Sequence, residues 1–238
     1  MEQLTIRDHT IPYEERRSTR YRRITLSILE DRVRISAPKN VSAKQLKDLV
    51  NAKQEWILKH WLVKQDAMKC PARYIDGEQF LYRGNTIELK IIRYPRKLIR
   101  VFLEGQSLVV NLPMDLLEQD CASNIMAVLK LWYKAQARKI LQDKLDIQAK
   151  RMQVSFQTFR LKEQKTRWGS CSSKGNLNLN WRIIMAPDPA MDYIIIHELA
   201  HLTHLNHSNQ FWQRVAEFMP EYADWRKWFK DHGQNLRL

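Results

Sequence analysis

Along the first forty residues, apolar and polar positions alternate with a period of two. Residues 23–29 (RITLSIL) and 32–36 (RVRIS) each read as a strand, and Glu30 and Asp31 between them supply turn chemistry, so a hairpin is expected there. Pro38 closes this section. Ser42 then stands where a helix would be capped, ahead of apolar positions at Leu46, Leu49, Val50, Trp56, Ile57, Trp61 and Leu62. The other face of that helix is rich in Lys and Gln. One side is therefore expected to pack on the sheet while the other meets water.

Alternation returns after residue 80. Residues 80–85 approach a turn, residues 86–92 (TIELKII) alternate, and residues 98–103 lead through Glu104, Gly105 and Gln106 into residues 107–112 as a second hairpin. From Asp115 to about Gln153 the period becomes helical, with Ile125, Leu129, Trp132, Ile140, Leu141 and Leu145 as apolar positions. A break is expected near residues 120–124. Residues 155–161 and 176–181 read as two further strands, separated by a turn-rich stretch at 166–175 (TRWGSCSSKG). Pro187 and Pro189 mark a loop before an apolar helix for which Asp188 or Asp192 offers a cap. Ser208 can cap the next helix through Met219, Pro220 starts another and Gly233 ends it. The expected class is α+β, with a β-rich, basic N-terminal domain carrying one helix over 1–113 and a helical domain with a small sheet over 114–238.

Composition adds limits rather than detail. With 238 residues, 44% hydrophobic and 28% charged, the chain has the make-up of a globular protein with a real core. No apolar run approaches the ~20 residues needed to span a bilayer, and the N-terminus lacks an apolar signal region. Cys70, Cys121 and Cys171 are odd in number and far apart, which suits a reducing cytosol better than a disulfide framework. A cytoplasmic protein without membrane association is the expectation. The net charge of +14 gathers partly at Arg16, Arg17, Arg20, Arg22 and Arg23 and again at Lys90, Arg93, Arg96, Lys97 and Arg100. Such groups favour nucleotide phosphates, nucleic acid or an acidic protein surface, or serve only as a solvated basic face.

The candidate chemistry lies in residues 197–207, HELAHLTHLNH. On a helix, His197 and His201 leave the same face one turn apart, the spacing that lets two ring nitrogens meet one metal ion. Glu198 stands beside the first His, where a carboxylate can take a proton from a water activated by the metal. His204 lies some two turns beyond His197 along a continuous helix, because the rise is ~1.5 Å per residue. A ligand role for it would require the helix to break at once. His207 reaches the metal if the chain turns back first, and Asn206, which tolerates the left-handed conformation, offers that turn. Glu217 and Glu221 are the rival third ligands. The spacing His-x3-His-x5-His matches the metzincins, with His204 where they place a turn glycine.

Taken together, residues 167–172 (RWGSCS), 178–180 (NLN), 192–202 (DYIIIHELAHL) and 206–212 (NHSNQFW) resemble the YgjP-like metal-dependent hydrolases, a group related to the SprT-like and wider zincin metallopeptidases. The resemblance covers roughly residues 120–232 and extends to the β-rich N-terminal region of longer members. It implies a zincin-like catalytic domain with His197, His201 and His207 on zinc and Glu198 as general base. His207 followed by Phe211 is similar to the His-x3-Phe third-ligand segment of SprT-like proteins. Some members carry a label as UTP pyrophosphatases rather than peptidases.

The expected function is zinc-dependent hydrolysis of peptide bonds in a protein or peptide substrate, with a nearby donor holding the oxyanion. His204 and Arg167 are the candidate donors, Arg167 because the stretch 167–172 borders the cleft or else packs beneath the helix. Two alternatives share the metal: hydrolysis of a nucleoside triphosphate, and a protease tethered to nucleic acid through the basic N-terminal half. Against the first, no Gly-rich phosphate loop is present. A purely structural zinc site would not need Glu198.

Overall fold

The computed structural model describes residues 2–29, 31–69, 73–95, 97–164 and 166–238. Cys70, the Glu30 turn position and Arg96 of the second basic group lie outside the described residues. The protein is α+β and divides into two compact units, residues 1–72 and 73–238.

In the first unit, β1 (Glu2–Ile6), β2 (His9–Arg17), β3 (Thr25–Ile28) and β4 (Val33–Ala37) form a sheet in the order β1-β2-β4-β3. The expected hairpin is β3 and β4, paired antiparallel from Thr25↔Ser36 to Ile28↔Val33. The expected helix is two helices, α1 (Ala43–Ala52) and α2 (Gln54–Lys69), interrupted at Lys53, whose N–H is shared between the carbonyls of Leu49 and Val50. Ser42 caps α1 in a full capping box with Gln45. Ile6, Ile11, Val33 and Ile35 from the strands pack with Leu46, Val50, Ile57 and Trp61 from the helices as one core.

The second unit begins with a second sheet of β5 (Gln79–Tyr82), β6 (Asn85–Tyr94), β7 (Arg100–Glu104) and β8 (Ser107–Pro113), in the order β5-β6-β8-β7. The boundary expected after Pro113 therefore falls at the end of β8, inside this unit. Main-chain bonds explain the grouping. Arg83 and Gly84, in the β5–β6 turn, donate to the carbonyls of Ile184 and Met185, and the Arg83 side chain pairs with Asp188. The long helix α3 (Glu118–Arg151) runs for 34 residues without the expected break. Ser123 and Asn124 bond back to the Asp120 carbonyl from within the helix instead of interrupting it. Its buried stripe is strict in i, i+4 spacing: Ile125, Leu129, Tyr133, Ala137, Leu141, Leu145 and Ala149.

A third sheet contains β9 (Thr158–Lys162), β10 (Gly169–Cys171) and β11 (Asn176–Asn180) in the order β10-β11-β9. Sequence periodicity does not mark β10, which has three residues in a turn-rich stretch. A 3-10 turn (Trp181–Met185) leads into α4 (Asp188–Ala200), followed by α5 (Asn209–Phe218) and α6 (Tyr222–His232). Neither acidic candidate caps α4. Pro187 occupies the cap position, while Asp188 enters the first turn and Asp192 pairs with Lys144 at 3.0 Å. Among the described residues no helix is long and apolar enough to cross a membrane.

Candidate metal centre

Helix α4 is buried nearly all round, by Ala190, Met191, Tyr193, Ile194, Ile195, Ile196, Leu199 and Ala200. It carries its polar chemistry at the C-terminal end. His197 and His201 face each other across one turn with ring centroids 5.0 Å apart. The helix ends at Ala200, and the last turn tightens through bonds from Leu202 to the Leu199 carbonyl and from Thr203 to the Ala200 carbonyl. The chain then doubles back and brings His207 to 5.0 Å from the ring of His197 and 4.8 Å from that of His201. The reversal does not use a left-handed Asn206, since that residue is absent from the positive-φ positions. A tightened 3-10-type end does the same work.

One ligating atom from each of these three histidines lies within 4.8 Å of the others. The Nε2 atoms of His197 and His207 are 3.1 Å apart. Tetrahedral zinc with ~2.0–2.1 Å bonds to nitrogen separates its ligands by roughly 3.3 Å, so this edge is already near the required length. His201 Nδ1 lies 3.1 Å from the carbonyl of His204. A carbonyl only accepts, so Nδ1 holds the proton and Nε2 keeps its lone pair for a metal. His204 thus contributes its backbone oxygen. The two rivals are elsewhere: Glu217 pairs with Arg214 at 2.8 Å and Glu221 opens α6.

Phe211 forms the floor of the centre. Fully buried on α5, it sits 4.9, 4.5 and 4.8 Å from the rings of His197, His201 and His207. Ser208 caps α5 through the Phe211 N–H, which ties the floor to the segment that carries His207. Trp212 stacks on His207 at 5.6 Å and on Tyr222 at 5.3 Å, and the guanidinium of Arg226 lies 4.8 Å over the same indole. In the sequence Tyr193 and Trp212 stand only as members of the quoted motifs, with no role assigned, and Arg226 stands in none of them. Their signal is helical spacing on α4, α5 and α6, which periodicity alone assigns to packing.

Glu198 is only 5% exposed, and its Oε2, like His197 Nδ1, is buried without a hydrogen-bond partner among the described residues. Burial pushes the Glu198 carboxyl up to about 8, against the pull of the Arg167 charge. Burial also drives His197 down to about 3, helped by the nearby charges of His201, His207 and Arg226. His201 is lowered by burial as well, with the His204 carbonyl acting in the opposite sense. Burial thus favours the neutral form of His197 and His201, with His207 beside them and a buried carboxyl group next in the chain. That donor set fits a dipositive ion, which requires deprotonated nitrogens and would draw the carboxyl into its ionised form.

The stretch 167–172 divides between the two roles open to it. Gly169 lies against the carboxyl group, where a Cβ would stand 2.6 Å from Glu198 Cγ. Trp168 instead packs on Phe229 at 5.3 Å, with Gly233 beneath it. Cys171 is pushed up to about 11 by burial and then by the charge of Glu198, which leaves a thiol and not a nucleophilic thiolate near neutral pH.

A helix bearing two histidines and a glutamate, closed by a third histidine after a reversal, defines a zincin-like metallohydrolase domain. Residues 22–232 match the YgjP-like metallopeptidase domain family, and the chain belongs to that family. Two solved structures are similar over about a third of this chain. The metallopeptidase zymogen of Pyrococcus abyssi abylysin is 29% identical, with a TM-score of 0.33, over 35% of this chain and 85% of its own. That of Methanocaldococcus jannaschii jannalysin is 19% identical, with a TM-score of 0.35, over 38% and 94% respectively. A search of curated proteins finds no match.

Proposed function

We propose that the protein is a zinc-dependent peptidase with His197, His201 and His207 as metal ligands and Glu198 as general base. The observation that carries this reading is the triad of imidazoles within 4.8 Å beside a buried carboxyl group with one oxygen unpartnered among the described residues. Zinc, when bound, supplies the Lewis acidity that lowers a water's pKa towards ~7 and polarises a scissile carbonyl. The carboxylate of Glu198 takes the proton from the attacking water and returns it to the leaving amine. The His204 carbonyl keeps His201 in the required tautomer, and Phe211 holds the three rings from behind. Arg226, held over Trp212, places a positive charge near His197 where negative charge develops on the substrate.

The substrate chain has a natural berth. β10 pairs with β11 on one side only, so among the described residues its other edge is unpaired, and its Gly169 touches Glu198. An extended peptide added to that edge runs alongside the base, the usual way a sheet edge recognises backbone. Free thiols at Cys121 and Cys171 accord with action in a reducing cytosol.

The test uses purified protein with its metal quantified, assayed on casein and on nucleoside triphosphates beside Glu198→Gln. The expected result is about one zinc per chain in both proteins, with casein cleavage reduced in the variant by roughly 10²–10⁴-fold. Intact casein in both, together with triphosphate hydrolysis that disappears in the variant, would sink the peptidase reading.

A further inference from the structure

A cavity of about 420 Å3 has walls that include Arg167, Trp168, Asn180, Arg182, Phe229 and Gln234, while His197, Glu198, His201 and His207 stand outside its lining. Two features connect it to the reaction site. Trp168 precedes Gly169, which lies against Glu198. Phe229 packs at 6.3 Å on Tyr193, whose ring stands 5.9 Å from His197.

Two arginines line the cavity and, among the described residues, no aspartate or glutamate does. Arg182 is held by Glu163 at 2.9 Å, but Glu163 is shared with Lys130 and Lys134, so the neighbourhood stays positive. The guanidinium of Arg167 is exposed and makes no hydrogen bond or ion pair with a described residue. Buried Asn180 sets both arginines in place. Its Nδ2 donates to the carbonyls of Gln164 and Arg167 at 2.8 and 3.3 Å, and its Oδ1 accepts from the Arg182 N–H at 3.2 Å. A buried amide with three bonds spent on two arginine-bearing segments holds them as one scaffold. Trp168 and Phe229 add an apolar wall for methylene groups.

We propose that this cavity is a substrate pocket of the peptidase and that it takes a carboxylate, either an acidic side chain or a free C-terminus. The inference rests on the peptidase reading and names its substrate class. The volume lies at the lower end of ligand pockets, ~300–1,000 Å3, with room for one acidic side chain and accompanying water. Arg167 binds the carboxylate in the bidentate geometry that a planar guanidinium favours, and Arg182 supplies a second positive charge. A peptide laid along the free edge of β10 would reach the cavity wall at its Gly169 end, where Trp168 precedes the strand.

Binding is measured by calorimetry on zinc-loaded Glu198→Gln protein, which holds substrate without cleaving it. The probes are capped hexapeptides in which one Glu is scanned through a neutral background, the all-neutral peptide, that peptide with a free C-terminus, and inorganic triphosphate. At least one acidic peptide is expected to bind on the order of tenfold tighter than the all-neutral one. Adding Arg167→Gln should abolish that difference while zinc content stays unchanged. Capped and free termini tell the two carboxylate sources apart. Where Arg167→Gln lowers zinc content, Arg182→Gln serves in its place and should shrink the same difference. Equal binding of all peptides overturns the proposal, as does equal weakening of acidic and neutral peptides by Arg167→Gln. Arg167-dependent binding of triphosphate tighter than any acidic peptide also overturns it, in favour of a phosphate site. None of these outcomes touches casein cleavage by the unmodified protein, whose absence would remove the underlying reading instead.

Discussion

Glycine at position 169 belongs to the centre as much as the histidines do. The Glu198 side chain occupies the space where a side chain at 169 would start, its Cγ only 2.6 Å from the point a Cβ would take. Gly169→Ala should displace the carboxyl group by about an ångström while the three histidines stay put. Zinc content is then expected to remain at the unmodified level while kcat falls by roughly 10²-fold. Unchanged kcat would show that Glu198 has room to yield. The sequence made His197, Glu198 and His201 legible because a helix of known pitch dictates which side chains share a face. It left His207 in competition with Glu217 and Glu221, because a chain reversal has no fixed pitch. Position 204 shows the limit most plainly: its imidazole attracts attention in the sequence, yet its carbonyl oxygen makes the contact at 3.1 Å.

At the scale of elements, one acidic group ties three pieces of the second unit together. Glu163, just after β9, meets Lys130 and Lys134 from α3 and Arg182 from the 3-10 turn, at 2.9 to 3.1 Å. Burial by itself would raise its pKa, but the lysine hydrogen bonds and the arginine charge outweigh that and bring it down to about 2. The sign follows from linkage. A carboxylate with a folded-state pKa below its unfolded value of ~4.3 contributes stability fully above that pH, and the contribution disappears as pH falls towards about 2. Glu163→Gln should therefore lower the thermal midpoint near neutral pH and flatten its decline between about pH 4.5 and 2. Parallel melting curves for the two proteins across that window would show the cluster to be idle. Periodicity located α3 and the strands of this unit, since burial on one face repeats every 3.6 or 2 residues. It missed β10, three residues long, whose strand character comes from pairing with β11. It also placed a break in α3 where side-chain bonds to the Asp120 carbonyl are accommodated inside a continuous helix.

For the whole molecule, the +14 charge is less free than its sum suggests. Arg16 and Arg17 pair with Glu14 and Glu15 on β2, and Arg93 pairs with Glu118. The three histidines lie entirely in the second unit, on α4 and the segment before α5, so an ion held by them would cross-link parts of the chain that only meet when folded. Zinc removal by a chelator should lower the thermal midpoint, and readdition should restore it in proportion to the logarithm of free metal above its dissociation constant. His207→Ala should remove that metal dependence, and a variant that keeps it would take His207 out of the ligand set. By itself the sequence determined the class of elements, the pair of histidines one turn apart and the adjacent glutamate, because these depend on local pitch and spacing. Only the tertiary structure brought His207 beside His197 and His201, set Phe211 against their rings and Gly169 against Glu198, and put Arg167 and Arg182 in the lining of one cavity. Those contacts join residues from separate elements, and their distances follow from packing, which no local period records.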